Sequence, residues 1–581
     1  MYQEILQELL LVTIHNPSLI LKKALMGLAP HYRKVAFFGF FTNLMVLAPS
    51  WYMLEVYDRV IFSRNTNTLL MLTVMVVFIY LIMESLERVR RSMLQQSAAE
   101  LDQSLNSKLF NAAFAARLNA ADFPAQRVFT DYRSLREMLA SPALIGMMDI
   151  PFILIFIIAI FLIHSSLGYL TLGGLVIQTV IASLNQMRVQ PALQEANQHA
   201  LAAQRYFGNI QQYAEVVRAM GMQAALETRW QDKQQGFLDH QAQASEIAGK
   251  YAAYSKFLQI TQTSMVLGLG CYLAINQSLV NGAAMMIVAS ILAARVLAPF
   301  SQFIAQWRNL ANALQAYERL SDLLEQHPAA QPGMELPAPS GQITVENLSY
   351  ALADNPREPL LRNMQFRVAP GEVLLVTGPS ASGKTTLSKA LVGLLQPSTG
   401  KVRLDGVDVY QWDKEELGQH LGYLPQEIEL LDGTIAENIC RFGTPDVEQL
   451  QAVIELLKLQ AWISTLPDGL ETRIGHEGHL LSGGRRQLVG LARALYGKPA
   501  IVVLDEPNAN LDEASEQRLQ QAVYQLKTQN TTFVIISHLQ GIKEIADTMM
   551  VMSKGQILRY GKPDEVIASL QQASKEARRK V

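Results

Sequence analysis

Eight consecutive residues carry the first chemical signal. Gly378-Pro379-Ser380-Ala381-Ser382-Gly383-Lys384-Thr385 sets two glycines five positions apart and closes on a lysine and a hydroxyl. The apolar run VLLVT at residues 373–377 precedes it, and a helical pattern follows. Strand, loop and helix in that order turn backbone N–H groups and a helix N-terminus toward one point, as binding a phosphate chain requires. Lys384 then reaches the β and γ phosphates of ATP, and the Thr385 hydroxyl becomes a ligand for Mg²⁺. Gly378, Pro379, Ser380, Ala381, Ser382, Gly383, Lys384, Thr385 and Thr386 form the expected ATP cradle. A chance match is the competing reading; the strand and helix on either side weigh against it.

A second signal lies at residues 501–506. IVVL reads as a buried strand and ends in Asp505-Glu506. Asp505 is placed to hold Mg²⁺ through water, and Glu506 to polarise an attacking water. Phosphoryl transfer needs mainly positioning and charge neutralisation, so these few groups suffice. A helix cap is the plainer reading of an acidic pair, but what surrounds it argues otherwise. LSGGRRQ at residues 481–487 resembles the signature of ABC ATPases, usually LSGGQRQ, and stands just before the acidic strand. Gln426 in YLPQE resembles the Q-loop, Leu511-Asp512 the D-loop, and His538 in ISH the switch histidine. The resemblance covers residues 342–570 with every motif in order. It implies catalytic roles for Glu506, His538 and Gln426, with Thr385, Gln426 and Asp505 around Mg²⁺. It also implies that Ser482, Gly483, Gly484 and Asp512 belong to the nucleotide site. In ABC ATPases the signature of one subunit completes the site of the other, so one intact motif set per chain implies a homodimer. Family members often stack adenine on an aromatic residue early in this domain; here that position is Leu352, with Tyr350 two residues before it.

These groups need elements to hold them, and the chain supplies two textures. Hydrophobic residues make up 50% of the 581 and charged residues 17%, against about 25% charged in soluble chains. Part of the chain is therefore expected to face lipid. A net charge of −2 gives no case for nucleic acid as a partner. Six apolar runs approach the roughly 20 residues a membrane helix needs: about 35–54, 68–82, 150–163, 167–184, 257–275 and 283–300. The second and third are short, so flanking turns must help them span. Short segments join the runs within pairs. Long polar stretches of helical composition, about 84–149 and 185–256, separate the pairs. Arg88, Arg90, Arg91 and Arg188 flank the long stretches and point to a cytoplasmic location, although Arg59 and Arg64 fall opposite. The tips of these stretches, about 124–135 and 214–225, are the expected coupling elements.

The Pro- and Gly-rich segment HPAAQPGMELPAPSG then marks a boundary, after which short β-type runs alternate with helical ones. The expected fold is an α-helical six-span transmembrane domain of ABC exporter type fused to an α/β P-loop ABC ATPase domain. Its divisions are an N-terminal cytoplasmic amphipathic segment (1–33), the transmembrane domain (34–327), a linker (328–341), the nucleotide-binding domain (342–570) and a basic tail (571–581). Cys271 and Cys440 lie far apart with no metal-ligand spacing, and Cys271 reads as a small packing residue.

The membrane half carries its own likeness. LAPSWYMLEVYDRV (47–60), SRNTNTLLMLT (63–73), DYRSLREMLASPALIGMMDIPF (131–152), AEVVRAMGM (214–222) and ARVLAPF (294–300) resemble type I secretion ABC transporters, in the branch of the alkaline-protease and RTX-protein exporters. The resemblance implies a multi-pass pump of the bacterial inner membrane for unfolded polypeptides. It would dock on a membrane-fusion (periplasmic adaptor) protein and an outer-membrane duct. Its cargo would carry an uncleaved C-terminal signal. A lipid, drug or peptide exporter shares the architecture and is the alternative. Only 34 residues precede the first run, and they contain no cysteine, so leader cleavage by a thiol peptidase is not expected. Leu9, Leu10, Leu11 and residues 19–21 are the expected membrane contacts of the amphipathic segment. Arg295 falls inside the sixth run, where a charge points to a wet pathway or a partner.

Overall fold

The computed structural model describes residues 19–119, 123–277, 279, 282–328, 336–351, 358–475, 478–537 and 540–579. The chain divides into two compact units, Met1–Ala330 and Gln331–Val581.

Among the described residues, six helical stretches of the first unit are long and apolar enough to cross a membrane: Ala29–Ser63, Thr66–Leu118, Pro142–Ile163, Ser165–Gln212, Gln223–Ile275 and Ala284–Gln326. They contain the six apolar runs in order. The second run lies within a single long helix, and the third, Ile153–Ile163, is lengthened as expected by flanking turns, the 3-10 turn Ile150–Phe152 and the helix Pro142–Asp149. The helix Thr66–Asn119 alone has 54 residues, about 80 Å at 1.5 Å per residue, against a hydrocarbon core of about 30 Å. The first span is built from Ala29–Met45, Ala48–Glu55, a π-helical turn Val56–Val60 and Ile61–Ser63. Arg64 ends it at φ 52°, and Asn65 Oδ1 accepts the N–H groups of Asn67 and Thr68 to start the next helix.

The polar residues inside this bundle hold the helices together. Gln178 Nε2 donates to Ser255 Oγ at 2.6 Å, and Ser255 Oγ meets Ser301 Oγ at 3.0 Å. The Gln262 amide lies in a notch that exists only because residue 174 is glycine: a Cβ there would stand 1.6 Å from Gln262 Oε1. Arg90 is 1% exposed and pairs with Asp149 at 2.7 Å and Glu87 at 2.9 Å. In sequence it counted as a flanking loop charge; in the fold it clamps the second span to the third.

Two expectations change here. Residues 1–18 lie outside the described structure, but Leu21 is fully buried against Leu101, Leu105, Leu109, Leu320 and Leu324. It contacts protein rather than membrane, because the helix Leu19–Gly27 docks on the bundle. Cys271 is exposed on its helix rather than packed inside; an apolar run alone does not tell a lipid-facing position from an interior one. Most of the first expected tip is helical. Ala125–Leu139 is a packed helix, in which Asp131 accepts two bonds from Arg319 at 2.7 Å, and Asp102 accepts from Tyr132 and Arg136. At the second tip the short helix Ala214–Ala219 separates Gln212 from Gln223.

In the second unit, β1 (Ile343–Tyr350), β2 (Leu361–Val368), β4 (Thr399–Leu404) and β5 (Val407–Asp408) form an antiparallel sheet in the order β2-β1-β4-β5. The larger sheet comprises β3 (Val373–Thr377), β6 (Leu421–Leu424), β7 (Ile501–Asp505), β8 (Thr532–Ile536), β9 (Thr548–Ser553) and β10 (Gln556–Gly561), in the order β10-β9-β3-β8-β7-β6. All its pairings are parallel except β9 with β10. The inner strands β3, β7 and β8 are covered on both faces and are continuous apolar runs, whereas the edge strand β10 is largely exposed. On β8, Phe533 and Ile535 enter one core while Val534 and Ile536 enter the other. Tyr350 ends β1 half-buried against the core, and Leu352 lies outside the described residues.

Candidate nucleotide site

Sheet order decides which loops meet. β3, β8, β7 and β6 are adjacent and parallel, so the chain leaving each strand emerges on one edge, where ligands bind in open α/β sheets. β3 leads into the P-loop and β6 into Gln426. β7 ends at Asp505-Glu506, and β8 leads to Ser537.

The P-loop has the backbone its glycines foretell. Gly378 sits at φ +153°, and a Cβ there would come 2.4 Å from the Met552 carbonyl oxygen. Gly383 sits at φ +94° and precedes the helix Lys384–Leu391. Ala381, at φ 61°, adds a left-handed residue without being glycine. Alternating conformations of this kind aim successive N–H groups inward. Lys384 is buried, and its Nζ donates to the carbonyls of Gly378 and Pro379 at 2.8 and 3.1 Å. Pro379 and Ser380 are exposed, and Thr386 is half-buried on the helix.

Thr385, Gln426 and Glu506 form one chain of hydrogen bonds. Thr385 Oγ1 donates to Gln426 Oε1 at 3.2 Å, and Gln426 Nε2 donates to Glu506 Oε2 at 3.3 Å. Asp505 lies beneath them, 1% exposed, with Ser388 Oγ donating to its Oδ2 at 3.1 Å. Burial pushes the Asp505 carboxyl up, and Glu506 beside it adds to the rise. The nearby Thr385 hydroxyl, the hydrogen bond from Ser388 and the charge of Lys384 pull the other way. Asp505 Oδ1 and Ser382 Oγ are buried without a hydrogen-bond partner among the described residues. An orphaned carboxylate oxygen beside a threonine hydroxyl and an amide oxygen suits Mg²⁺ held partly through water.

Glu506 occupies a strained backbone position, φ 49°, which costs a non-glycine residue on the order of 1 kcal/mol. Its N–H donates to the Ile536 carbonyl at 2.9 Å, and its own carbonyl accepts from Ala509 N at 3.2 Å.

Ser482 is the N-cap position of the helix Gly483–Leu495. Gly484 lets that helix start approach the Asn510 carbonyl, which a Cβ would meet at 2.7 Å. Among the described residues no hydrogen bond joins Ser482, Gly483 or Gly484 to the P-loop. Gly483 and Gly484 sit against Asn510 instead. Asp512 Oδ1 accepts from Ser515 N and caps the helix Glu513–Lys527. His538 lies outside the described residues; Ser537, before it, donates to Asn508 Oδ1 at 3.1 Å. Arg485, where the usual signature has glutamine, lies over the Trp462 ring at 4.8 Å. Two polar side chains escaped the sequence reading, Ser388 and Gln487. Nothing local marks the role of Ser388; Gln487 stands inside the signature, but its contacts come from residues far along the chain.

A P-loop and an acidic strand end on one sheet edge, in a chain with six membrane-length helices, define a membrane-embedded nucleotide-binding ATPase. The family model for the ABC transporter transmembrane region matches residues 34–296, and that for the ABC transporter matches residues 361–509. The type I secretion system ATP-binding protein PrsD of Rhizobium meliloti is 35% identical over 530 residues, 91% of this chain and 90% of that protein. The toxin RTX-I translocation ATP-binding protein of Actinobacillus pleuropneumoniae is 26% identical over 551 residues, 92% of this chain and 77% of that protein. A solved bacterial Atm1-family ABC exporter with ATP bound shares the fold, with a TM-score of 0.82 at 19% identity, covering 95% of this chain and 99% of that one. The chain belongs to the ABC transporter family, among the type I secretion ATP-binding proteins. It is a membrane protein that binds nucleotide and couples ATP hydrolysis to transport.

Proposed function

We propose that this protein exports an unfolded polypeptide bearing a C-terminal secretion signal across the bacterial inner membrane, as the ABC component of a type I secretion system. The reading rests on the 35% identity to PrsD along nine-tenths of both chains. The pump works as a homodimer with its nucleotide domains in the cytoplasm, between membrane lipid on its flanks and a periplasmic adaptor and outer-membrane duct beyond. In each site Gly378, Pro379, Ser380, Ala381, Ser382, Gly383, Lys384, Thr385 and Thr386 hold the ATP phosphates. Thr385, Gln426 and Asp505 would hold Mg²⁺, which supplies charge neutralisation on the phosphates. Glu506 orients the attacking water, Gln426 reports its position, and His538 contacts the γ-phosphate. Ser482, Gly483, Gly484 and Asp512 serve the partner's ATP.

The test is export by the reconstituted pump, with adaptor and duct, of a polypeptide carrying a candidate C-terminal signal. Cargo should appear outside with its mass and N-terminus unchanged. Glu506→Gln should abolish export and hydrolysis while ATP stays bound; Lys384→Ala should weaken ATP binding itself by about tenfold or more, losing a charge-assisted contact. ATPase activity stimulated by lipid or drug and indifferent to the polypeptide would overturn the cargo reading.

A further inference from the structure

The amide of Gln487 is 1% exposed and reaches out of its own helix. Its Nε2 donates to the Pro507 carbonyl at 2.8 Å and to the Glu506 carbonyl at 3.4 Å. The orientation of the amide follows from this, since Oε1 in that place would face two carbonyl oxygens. Gln487 stands one turn into the helix whose first residues are the signature, and the start of that helix rests on Asn510. Two consecutive contacts therefore tie the signature helix to the single segment 506–510. That segment begins with Glu506 in a left-handed conformation, which persists only where its surroundings over-determine it.

We infer that Gln487 is a positioning residue for Glu506. Through it the signature helix of a protomer governs water activation in that protomer's own ATP site. This rests on the reading above, in which Glu506 orients water and the signature contacts ATP held by the partner. The signature would then sense one site while Gln487 sets the catalytic carboxylate of the other. Engagement of ATP at one site brings the second Glu506 into place, which couples the two sites without any contact between their ligands. The chemistry asked of Gln487 is small: two hydrogen bonds that keep the peptide after Glu506 from rotating. Geometry at this level matters, because a displacement of about 1 Å at a reacting group costs on the order of a hundredfold in rate.

The experiment uses the full-length protein in lipid nanodiscs, with ATPase rate measured against ATP concentration. Gln487→Met keeps length and loses the donor; Gln487→Glu keeps shape and loses the donor. Both should lower kcat about tenfold or more, with KM for ATP held within about twofold. Both should retain ATP after incubation with Mg²⁺ and ATP, as Glu506→Gln does, and should melt within a few degrees of wild type. If Gln487→Met does not fold, Gln487→Glu carries the test on the same readouts. A kcat close to wild type in either folded variant overturns the inference. So does a loss shared between kcat, KM and melting temperature, which would mark Gln487 as only a structural residue. Glu506→Gln separates the two layers. If it turns over ATP at near the wild-type rate, the reading of Glu506 fails and this inference with it. If it is dead while the Gln487 variants are normal, the inference alone fails.

Discussion

Replacing Arg90 by methionine should weaken the membrane unit more than its single-residue size suggests. The guanidinium is 1% exposed and 2.7 Å from Asp149 and 2.9 Å from Glu87, whose side chains are 20% and 17% exposed. The helix Ala29–Met45 closes over it at Gly39, where a Cβ would stand 2.9 Å from Arg90 Nη2. Methionine fills most of the volume but leaves Asp149 without its cation. Breaking a buried pair in this way costs about 3–5 kcal/mol, mostly through the stranded charge. With an unfolding entropy of about 2.1 cal/mol/K per residue, a unit of this size loses roughly 1–2 °C in melting temperature per kcal/mol, so the fall should be about 5 °C. Removing both charges, as Arg90→Met with Asp149→Leu, should recover part of the loss, because no charge of that pair is stranded. The coupling between the two sites should lie at about 0.5–3 kcal/mol. The assay is thermal unfolding of the detergent-solubilised protein for wild type, both single variants and the double variant. The reasoning fails if Arg90→Met melts with the wild type, or if the double variant loses the sum of the single losses.

Two further outcomes follow from the same contacts. Gly174→Ala should drive the Gln262 side chain out of its notch, since the new Cβ would lie 1.6 Å from Gln262 Oε1; overpacking of this kind costs about 1–3 kcal/mol, and Gln262→Ala in the same chain should restore the melting temperature. In the proposed metal role Asp505 must be ionised to hold Mg²⁺, while its surroundings raise its pKa, so a proton would compete with the metal as pH falls. The Mg²⁺ concentration needed for half-maximal ATPase activity should rise on acidification. Ser388→Ala, which deletes a hydrogen bond that favours the charged carboxylate, should move that acid limb to higher pH; an unmoved limb would remove Asp505 from the metal site.

The nucleotide motifs were legible in the sequence because each is local. A phosphate cradle needs two glycines, a lysine and a hydroxyl in one turn of chain, and residues 378–385 hold them together whatever the rest does. The six spans were legible for a similar reason, since an apolar run long enough to cross a bilayer has few other uses. Other features depended on partners that spacing does not name. Arg90 reads as a loop charge until Asp149, 59 residues away, reaches it. Leu21 reads as a membrane contact until the helix Leu19–Gly27 finds a leucine-lined groove in the bundle.

The same division runs through the site. That Gln426, Thr385 and Glu506 share hydrogen bonds follows from the order β3-β8-β7-β6, which no single segment encodes. Side-chain chemistry along the chain determined which groups could act on ATP. Only the packing of strands and helices decided which of them meet, because hydrogen bonds between distant segments form where the folded backbone brings donor and acceptor within about 3 Å.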